Sequence, residues 1–330
     1  MQFSIPKKTL LRLLADGRFH SGAKLARLLG LSRTAVWSLI HEFKALGLEV
    51  SAVPGRGYRL SRSIELLSEA EIRAQLSESA QSHLTGLEIH DELDSTNTRL
   101  VLLSHQGATT GSVCLSEYQS AGRGRIGRVW QTPFGGNICV SLLWHFEDHS
   151  GIAGLSLAVG VALMRALRLA GVEGAGLKWP NDVLWKGRKL AGILIEVSGE
   201  AHGRHAVVIG VGVNLYIPPG CGHSIDQGWT DLTQITKGAP PSRNRLIALM
   251  LDELLTLLRN YGRKGLPAYL SEWRDHHCFE GQMVILHQGD RQIRGRVAGV
   301  NEDGLLFLDC EGGARRMFAS GDVRLRPDAT

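Results

Sequence analysis

The chain has 330 residues, 43% of them hydrophobic and 21% charged. That is enough for two or three domains with a sizeable core, and too apolar for a mainly disordered chain. The net charge of +5 is unevenly spread: residues 1–63 hold 11 basic and 3 acidic side chains, and the rest 26 and 29. A basic excess confined to one end points to a nucleic-acid-binding module on an ordinary body. Five scattered cysteines without a CxxC exclude a disulfide framework and a structural zinc site. The longest apolar run, Gly154–Met164, is too short for a bilayer. No secretory leader pattern is present, so the cytoplasm is the expected compartment. Forty glycines without a collagen period are an excess that marks turns and close backbone approaches.

In chain order, residues 7–17 read as a helix with Leu10, Leu11, Leu13 and Leu14 on its apolar side and Gly17 as its stop. Ser21 begins a second helix through Leu29, which Gly30 ends in a left-handed turn. Ser32 caps a third helix to about Leu46, whose core stripe is Val36, Ile40 and Phe43. Its other face carries Arg33, Trp37, His41 and Lys44. Residues 49–60 then read as strand, Pro-Gly turn and strand, a wing tipped by arginines. The whole suits a winged helix-turn-helix that meets phosphates with Arg33, Lys44, Arg56 and Arg59. Trp37 suits either packing on the second helix or contact with DNA.

Residues 64–80 read as a linker helix, after which strand and helix patterns alternate to about residue 275. Strands are expected at Val113–Tyr118, Ile138–Trp144, Gly192–Val197 and Ala206–Val213. Helices are expected at Leu155–Ala170 and Leu246–Tyr261. Asp94-Ser95-Thr96-Asn97 can cap a helix beginning near Thr98. Gly122, Gly124 and Gly127 satisfy G-x-G-x-x-G, with Glu147 and Asp148 some way on. A dinucleotide fold is nevertheless excluded, because the last glycine does not open a helix; Pro133, Gly135 and Gly136 follow instead. Arg123, Arg125 and Arg128 inside this loop suit the clamping of an anion. Lys178-Trp179-Pro180-Asn181-Asp182 and Arg188–Glu196 read as strands turning at Lys186-Gly187. That brings Lys178 and Lys189 close, with Asp182 either paired to a lysine or holding a divalent metal. Glycines alternate in Ile209-Gly210-Val211-Gly212-Val213-Asn214, as where a ligand approaches a strand. No nucleophile motif is present. His276-His277-Cys278 lacks the further ligands of a metal site. Short strands at Met283–His287, Arg291–Val300, Leu305–Asp309 and Arg315–Met317 close the chain.

In this order and spacing, seven segments resemble the bifunctional biotin–protein ligase and biotin operon repressor family over nearly the whole chain. They are Ser32–Val36, Val53–Tyr58, Asp94–Asn97, Gly122–Arg128, Lys178–Asp182, Arg188–Gly192 and Gly210–Asn214. The resemblance implies a multidomain α+β protein. Residues 1–63 would be the winged helix-turn-helix, 64–80 the linker helix, 81–275 a mixed α/β catalytic domain of the biotin/lipoate ligase type, and 276–330 an SH3-like β-barrel. It implies ATP, Mg2+ and biotin, with biotinyl-5′-AMP formed and its biotinyl group passed to a lysine of the biotin carboxyl carrier protein of acetyl-CoA carboxylase. It implies also a homodimer, formed when biotinyl-AMP is bound, that sits on operator DNA, and no membrane.

The residues implied for biotin are Ser95, Thr96, Gln119, Gly122, Arg123, Lys189, Gly192, Gly210 and Gly212, with Asn97 and Gly124 implied as further ligand-binding residues. Arg123, Arg125 and Arg128 would lie over the adenylate. Lys178, Asn214 and Asp182 would serve the ATP end, with Asp182 as metal ligand. Trp229 would close over adenine on a loop of roughly 216–229, and Arg324 or Arg326 would reach the nucleotide or the carrier. Lys189, Arg123, Arg125 and Lys178 would be the catalytic charges. DNA would be met by Ser32, Arg33, Thr34, Trp37, Ser38, His41 and Arg56. The rival readings are a ligase without operator binding and a lipoate–protein ligase.

Overall fold

The computed structural model describes residues 2–147, 152–198, 205–222, 227–320 and 323–327. Asp148 lies outside them, as do residues 223–226 of the expected adenine loop and the side chain of Arg324.

The N-terminal domain is α1 (Ile5–Leu14), α2 (Gly22–Leu29), α3 (Arg33–Ala45) and the antiparallel hairpin of β1 (Val50–Val53) and β2 (Gly57–Leu60). Gly30 ends α2 at φ 64°, a left-handed conformation that suits glycine. Ser32 then caps α3, its hydroxyl accepting from Ala35 N at 3.1 Å. Leu10, Leu14, Leu25, Val36, Ile40 and Phe43 form the core between the helices. The first helix starts two residues earlier than its apolar periodicity predicts, because Pro6 suits a first helical turn.

The stretch predicted as one linker helix is two, α4 (Glu69–Ala74) and α5 (Glu78–His83). The physical reason is a pair of serine caps: Ser68 accepts from Glu71 N and Ser77 from Ala80 N. Both helices pack on the long helix Arg243–Lys264, so they belong to the central body. That body continues through β3 (Gly86–His90), α6 (Thr96–His105), β4 (Ser112–Ser116), β5 (Asn137–Phe146) and α7 (Leu155–Leu169). Next come β6 (Ala175–Lys178), β7 (Asp182–Trp185), β8 (Arg188–Ser198) and β9 (His205–Asn214). The helices α8 (Pro219–Gly222), α9 (Leu232–Ile235), α10 (Arg243–Lys264) and α11 (Pro267–Asp275) complete it. Seven strands run in the order β3-β4-β5-β9-β8-β7-β6, with only β3 and β4 parallel.

Successive strand residues point to opposite faces. Ile193 faces Gly160 of α7, while Gly210, opposite Leu194, faces Asn97 of α6. The helices α7, α10 and α11 therefore cover one face. The face bearing α6 keeps Gly192, Gly210 and Gly212 open to what lies above.

At the C-terminus, β10 (Met283–Gln288), β11 (Arg291–Val300), β12 (Leu306–Cys310), β13 (Arg315–Phe318) and β14 (Val323–Pro327) form an antiparallel sheet in the order β13-β12-β11-β10-β14. Among the described residues this sheet is open, with β13 and β14 as its two edges, an arrangement consistent with the SH3-like fold expected. Its inner residues Val284, Leu286, Val297 and Leu308 join the central hydrophobic core. Trp179, fully buried, donates its indole N–H to Gly304 O at 2.9 Å and fastens the sheet to the body.

The two ends of the catalytic body differ in how they meet their neighbours. Phe134 lies on the loop before β5, yet its ring is 2% exposed inside the N-terminal core, stacked on Phe3 at 5.8 Å. Arg62 adds a hydrogen bond to Gly135 O and stacks over the Tyr216 ring at 4.2 Å. Beneath them, Arg243 and Glu117 form a buried ion pair at 2.7 Å.

Candidate functional site

The β7–β8 hairpin turns at Lys186 (φ 48°) and Gly187 (φ 75°), a two-residue turn with both centres left-handed. It sets Lys189 beside Asp182, with Lys189 Nζ 2.5 Å from Oδ1. Lys178, at the end of β6, is registered opposite Asp182, and its Nζ lies 3.8 Å from Oδ2. Burial alone would push the Asp182 carboxyl up, but the two ammonium groups hold it below the usual carboxylate range. Burial pushes Lys178 down to about 8, against the pull of Asp182.

A cavity of about 380 Å³ opens over these three groups. The Gly/Arg loop lines it with Gly124, Arg125 and Arg128, and the far wall brings Asn214, Trp229 and Arg326. A smaller cavity adjoins it, lined by Ser95, Thr96, Asn97, Gln119, Arg123, Gly192, Gly210 and Gly212. Lys189, Arg125, Gly124, Asn181 and Trp130 line both. One lysine thus stands at the junction of a cationic chamber and a neutral polar one.

No helix follows Gly127, as excluding a dinucleotide fold requires; the chain turns through Ile126 and Gly127, both left-handed, and returns to β5. The loop's arms are tied by Trp130 N to Gly122 O at 2.8 Å and by Gly124 N to Arg128 O at 2.7 Å. Gly122 lines neither cavity. A Cβ there would sit 2.3 Å from Trp130 O, so this glycine serves the closure of the loop. Arg125 donates to Asn181 Oδ1 at 3.2 Å and to Ser320 O. Arg123, expected among the catalytic charges, is paired instead with Glu196 at 2.9 Å, at the rim of the smaller cavity.

Inside that cavity the hydroxyls and amides are already ordered. Thr96 N donates to Gln119 Oε1 at 2.7 Å, and the Ser141 hydroxyl lies 2.6 Å from Asn97 Oδ1 and 2.7 Å from Thr96 Oγ1. Gln119 Nε2 makes no hydrogen bond among the described residues, which leaves a donor for a ligand's carbonyl oxygen. Gly210 and Gly212 are required by neighbours: a Cβ would meet Asn97 Oδ1 at 2.2 Å and the Trp130 indole at 2.6 Å. Asn214 holds the floor, donating to Thr230 O at 3.0 Å. Trp229 is bound at its backbone neighbours, where Lys189 N donates to Gly228 O and Thr230 N to Lys189 O.

Sequence reading missed Trp130, whose ring covers Gly192 and Gly212 and whose centroid lies 5.5 Å from Lys189 Nζ. Its indole N–H is buried without a partner. The alternating glycines of β9 were the signal that something large lies there. It also missed Ser141 and Glu196, polar residues with no local pattern to mark them, and it gave Asn181 no role of its own within the Lys178–Asp182 motif.

Three family models match the chain: an HTH domain over residues 7–59, the biotin/lipoate A/B protein ligase family over 90–214, and a biotin protein ligase C-terminal domain over 280–326. The bifunctional ligase/repressor BirA of Escherichia coli is 37% identical over 325 residues, covering 98% of each chain. The biotin–[acetyl-CoA-carboxylase] ligase of Mycobacterium tuberculosis is 34% identical over 78% of this chain and 95% of its own. The chain belongs to the bifunctional biotin ligase/repressor family. A biotin protein ligase from Aquifex aeolicus, solved in complex with biotin and ATP, superposes with a TM-score of 0.63. It is 27% identical and covers 74% of this chain and all of its own. Biotin and ATP are therefore the substrates against which the ligase's two cavities are read.

Among the described residues, the larger cavity does not offer the ligand set of a resident Mg2+ site. Asp182 is the only carboxylate among the described residues that line it, and both its oxygens face lysines. Octahedral magnesium needs more oxygen ligands than that. The expectation of Asp182 as metal ligand thus gives way to its role as countercharge for Lys178 and Lys189. Elsewhere, Glu88, His90 and Cys114 place three ligand-type atoms within 4.8 Å, but Arg99 already holds Glu88 through two hydrogen bonds. His277 packs on Trp273, and residues 276–278 pair with β6 through Leu177.

On the ligase's N-terminal domain, Arg33, Thr34, Trp37, Ser38 and His41 are exposed on α3. Trp37 is 52% exposed and stacks on His41 at 3.9 Å, so it does not pack on α2. Ser32 is used as the helix cap. Arg56 and Arg59 of the wing both lie over the Phe19 ring, at 4.2 and 4.7 Å, a platform that sequence reading missed. No helix among the described residues is long and apolar enough to cross a membrane.

Proposed function

We propose that this ligase activates biotin in the smaller cavity and ATP in the larger, with Lys189 acting at their junction. The observation that carries the reading is that Lys189 and Arg125 line both chambers. In the first half-reaction a biotin carboxylate oxygen attacks the α-phosphorus of ATP and pyrophosphate leaves. Two anions must be brought together, so the work is positioning and charge neutralisation. Lys189, Lys178 and Arg128 supply positive charge, and Lys189 is near enough to the shared wall to meet the carboxyl oxygens. Magnesium accompanies the triphosphate as its counter-ion.

In the second half-reaction a neutral lysine amine of the biotin carboxyl carrier protein of acetyl-CoA carboxylase attacks the acyl carbon. AMP leaves, the amide forms, and the amine loses a proton. Arg125, which ties the loop to Asn181 and Ser320, keeps the adenylate in place until then. Asn97, Thr96 and Gln119 select the biotin ring system, and Trp229 borders the adenine. As a repressor the protein acts in the cytoplasm as a dimer assembled on biotinyl-AMP, setting α3 in the major groove of each half-site and the wing on phosphates.

The test incubates the protein with ATP, Mg2+, an apo carrier domain and either biotin or lipoate, and reads the carrier's mass. Addition of one biotinyl group is expected. Addition of lipoate in place of biotin would overturn the reading. An operator gel shift that appears with biotin and ATP and weakens with salt is expected of the repressor role. A ligase active on the carrier but silent in that assay would leave only the enzymatic half.

A further inference from the structure

Glu196 belongs to neither cavity's lining, yet it touches both structures that shape the smaller one. On β8, Gly192, Leu194 and Glu196 share a face; the first two line the cavity and Glu196 stands one step past its rim. One carboxylate oxygen takes Arg123 Nη2 at 2.9 Å, and the other takes Asn97 Nδ2 at 2.9 Å. We propose that Glu196 is the positioning residue of the biotin half of the site, latching the Gly/Arg loop through Arg123 and fixing the cavity's donor and acceptor pattern through Asn97. The inference rests on the reading of the smaller cavity as the one for biotin.

The latch follows from where Arg123 sits. It precedes Gly124, which lines both cavities, and pairs across the loop with Val129. Holding its guanidinium at β8 holds the loop backbone over the ligand. Arg125 and Arg128 are then the loop's arginines that face the larger cavity, while Arg123 is committed to the rim.

The pattern follows from hydrogen-bond direction. An ionised carboxylate only accepts. Asn97 must therefore turn its NH₂ to Glu196, where it also reaches Leu194 O, and its carbonyl to Ser141. The Ser141 hydroxyl is the donor, sharing its proton between that carbonyl at 2.6 Å and Thr96 Oγ1 at 2.7 Å, while Thr96 Oγ1 donates to Gln119 Oε1 at 3.1 Å. Thr96 N occupies the carbonyl of Gln119, so the Gln119 NH₂ faces the cavity. Gly210 leaves no slack, since a Cβ there would sit 2.2 Å from Asn97 Oδ1. A charge outside the cavity thereby dictates what a ligand meets inside it.

The experiment measures pyrophosphate release at varied biotin and varied ATP, and adenylate dissociation, for wild type, Glu196→Ala, Glu196→Gln and Glu196→Asp. Loss of charge-assisted bonds predicts a biotin KM about 10–100-fold higher in Glu196→Ala, with the ATP KM within about twofold. Glu196→Gln keeps an acceptor for Asn97 but not the charge for Arg123. It should release adenylate about tenfold faster with a smaller change in biotin KM. Glu196→Asp should restore part of both. An unchanged biotin KM in Glu196→Ala overturns the inference, as does an equal rise in both KM values. Thr96→Val reports separately on the cavity. If it raises the biotin KM while Glu196→Ala does not, only the role of Glu196 fails. If neither variant does, the assignment of the cavity to biotin fails with it.

Discussion

The ligand cleft and the face of α3 hold similar residue types and treat them in opposite ways. In the cleft, Lys189, Lys178 and Asp182 are mutually paired and largely buried, and the hydroxyls around Thr96 are held by hydrogen bonds to neighbouring side chains. On α3, Arg33, Thr34 and Ser38 are exposed and make no side-chain hydrogen bond among the described residues. The cleft must work on one small geometry, so its charges are fixed in advance. The helix must meet a long polyanion, where the reward comes from displaced counterions and wrong partners cost little until base edges are read. Mutations in the two regions should therefore differ in size and in salt dependence.

The largest effect belongs to the cleft. Lys189→Ala removes one of the two cations that line both cavities and leaves Asp182 with Lys178 alone. Pyrophosphate release should fall by about 10³-fold, the scale of losing a preorganised charge at developing charge. A normal burst in that variant would break the contrast.

Phe134→Ala tests the connection between the regions. The ring fills the N-terminal core from a loop of the catalytic body. Its loss should cost about 3–5 kcal/mol, read as a lowered unfolding midpoint of the N-terminal domain. Arg125→Gly comes next. Without its bonds to Asn181 and Ser320, adenylate should dissociate about 10–100-fold faster, seen as biotinylation of bystander lysines.

Lys178 gives a pH signature. Its folded value of about 8 lies below the ordinary 10.5, so the ammonium is present below about pH 8 and lost above it. The kcat/KM for ATP should fall by up to about tenfold per pH unit on that alkaline limb. Because the unfolded chain holds more protons between the two values, folding stability rises over the same window as the site loses its cation. Lys178→Arg should extend the plateau. The smallest effect is expected on the wing, where Arg56→Ala should lower operator affinity a few-fold and reduce the salt slope by about one, with ligation unchanged.

What the sequence disclosed depended on the range of the cause. Ser32, Gly30 and the Lys186-Gly187 turn act within four residues, and their roles could be read directly. The glycines of β9 announced a close approach, though not that Asn97 and Trp130 make it. Apolar periodicity merged α4 and α5 because it weighs side-chain spacing and not the Ser77 cap between them. Short edge strands such as β3 and β6 carry too few residues to show alternation. Phe134 reads as a loop residue between Pro133 and Gly135, and nothing local reveals that it completes a core built from residues 10–64. Arg123 and Glu196 are separated in sequence by β5, α7, β6 and β7, and only the fold brings them together.

The central claim is that biotin and ATP react across one wall before any carrier arrives. Exchange of labelled pyrophosphate into ATP, with the carrier absent, tests it most directly. The account predicts exchange that requires biotin, saturates with it, and disappears in Lys189→Ala. Exchange that proceeds without biotin, or survives intact in Lys189→Ala, would contradict it.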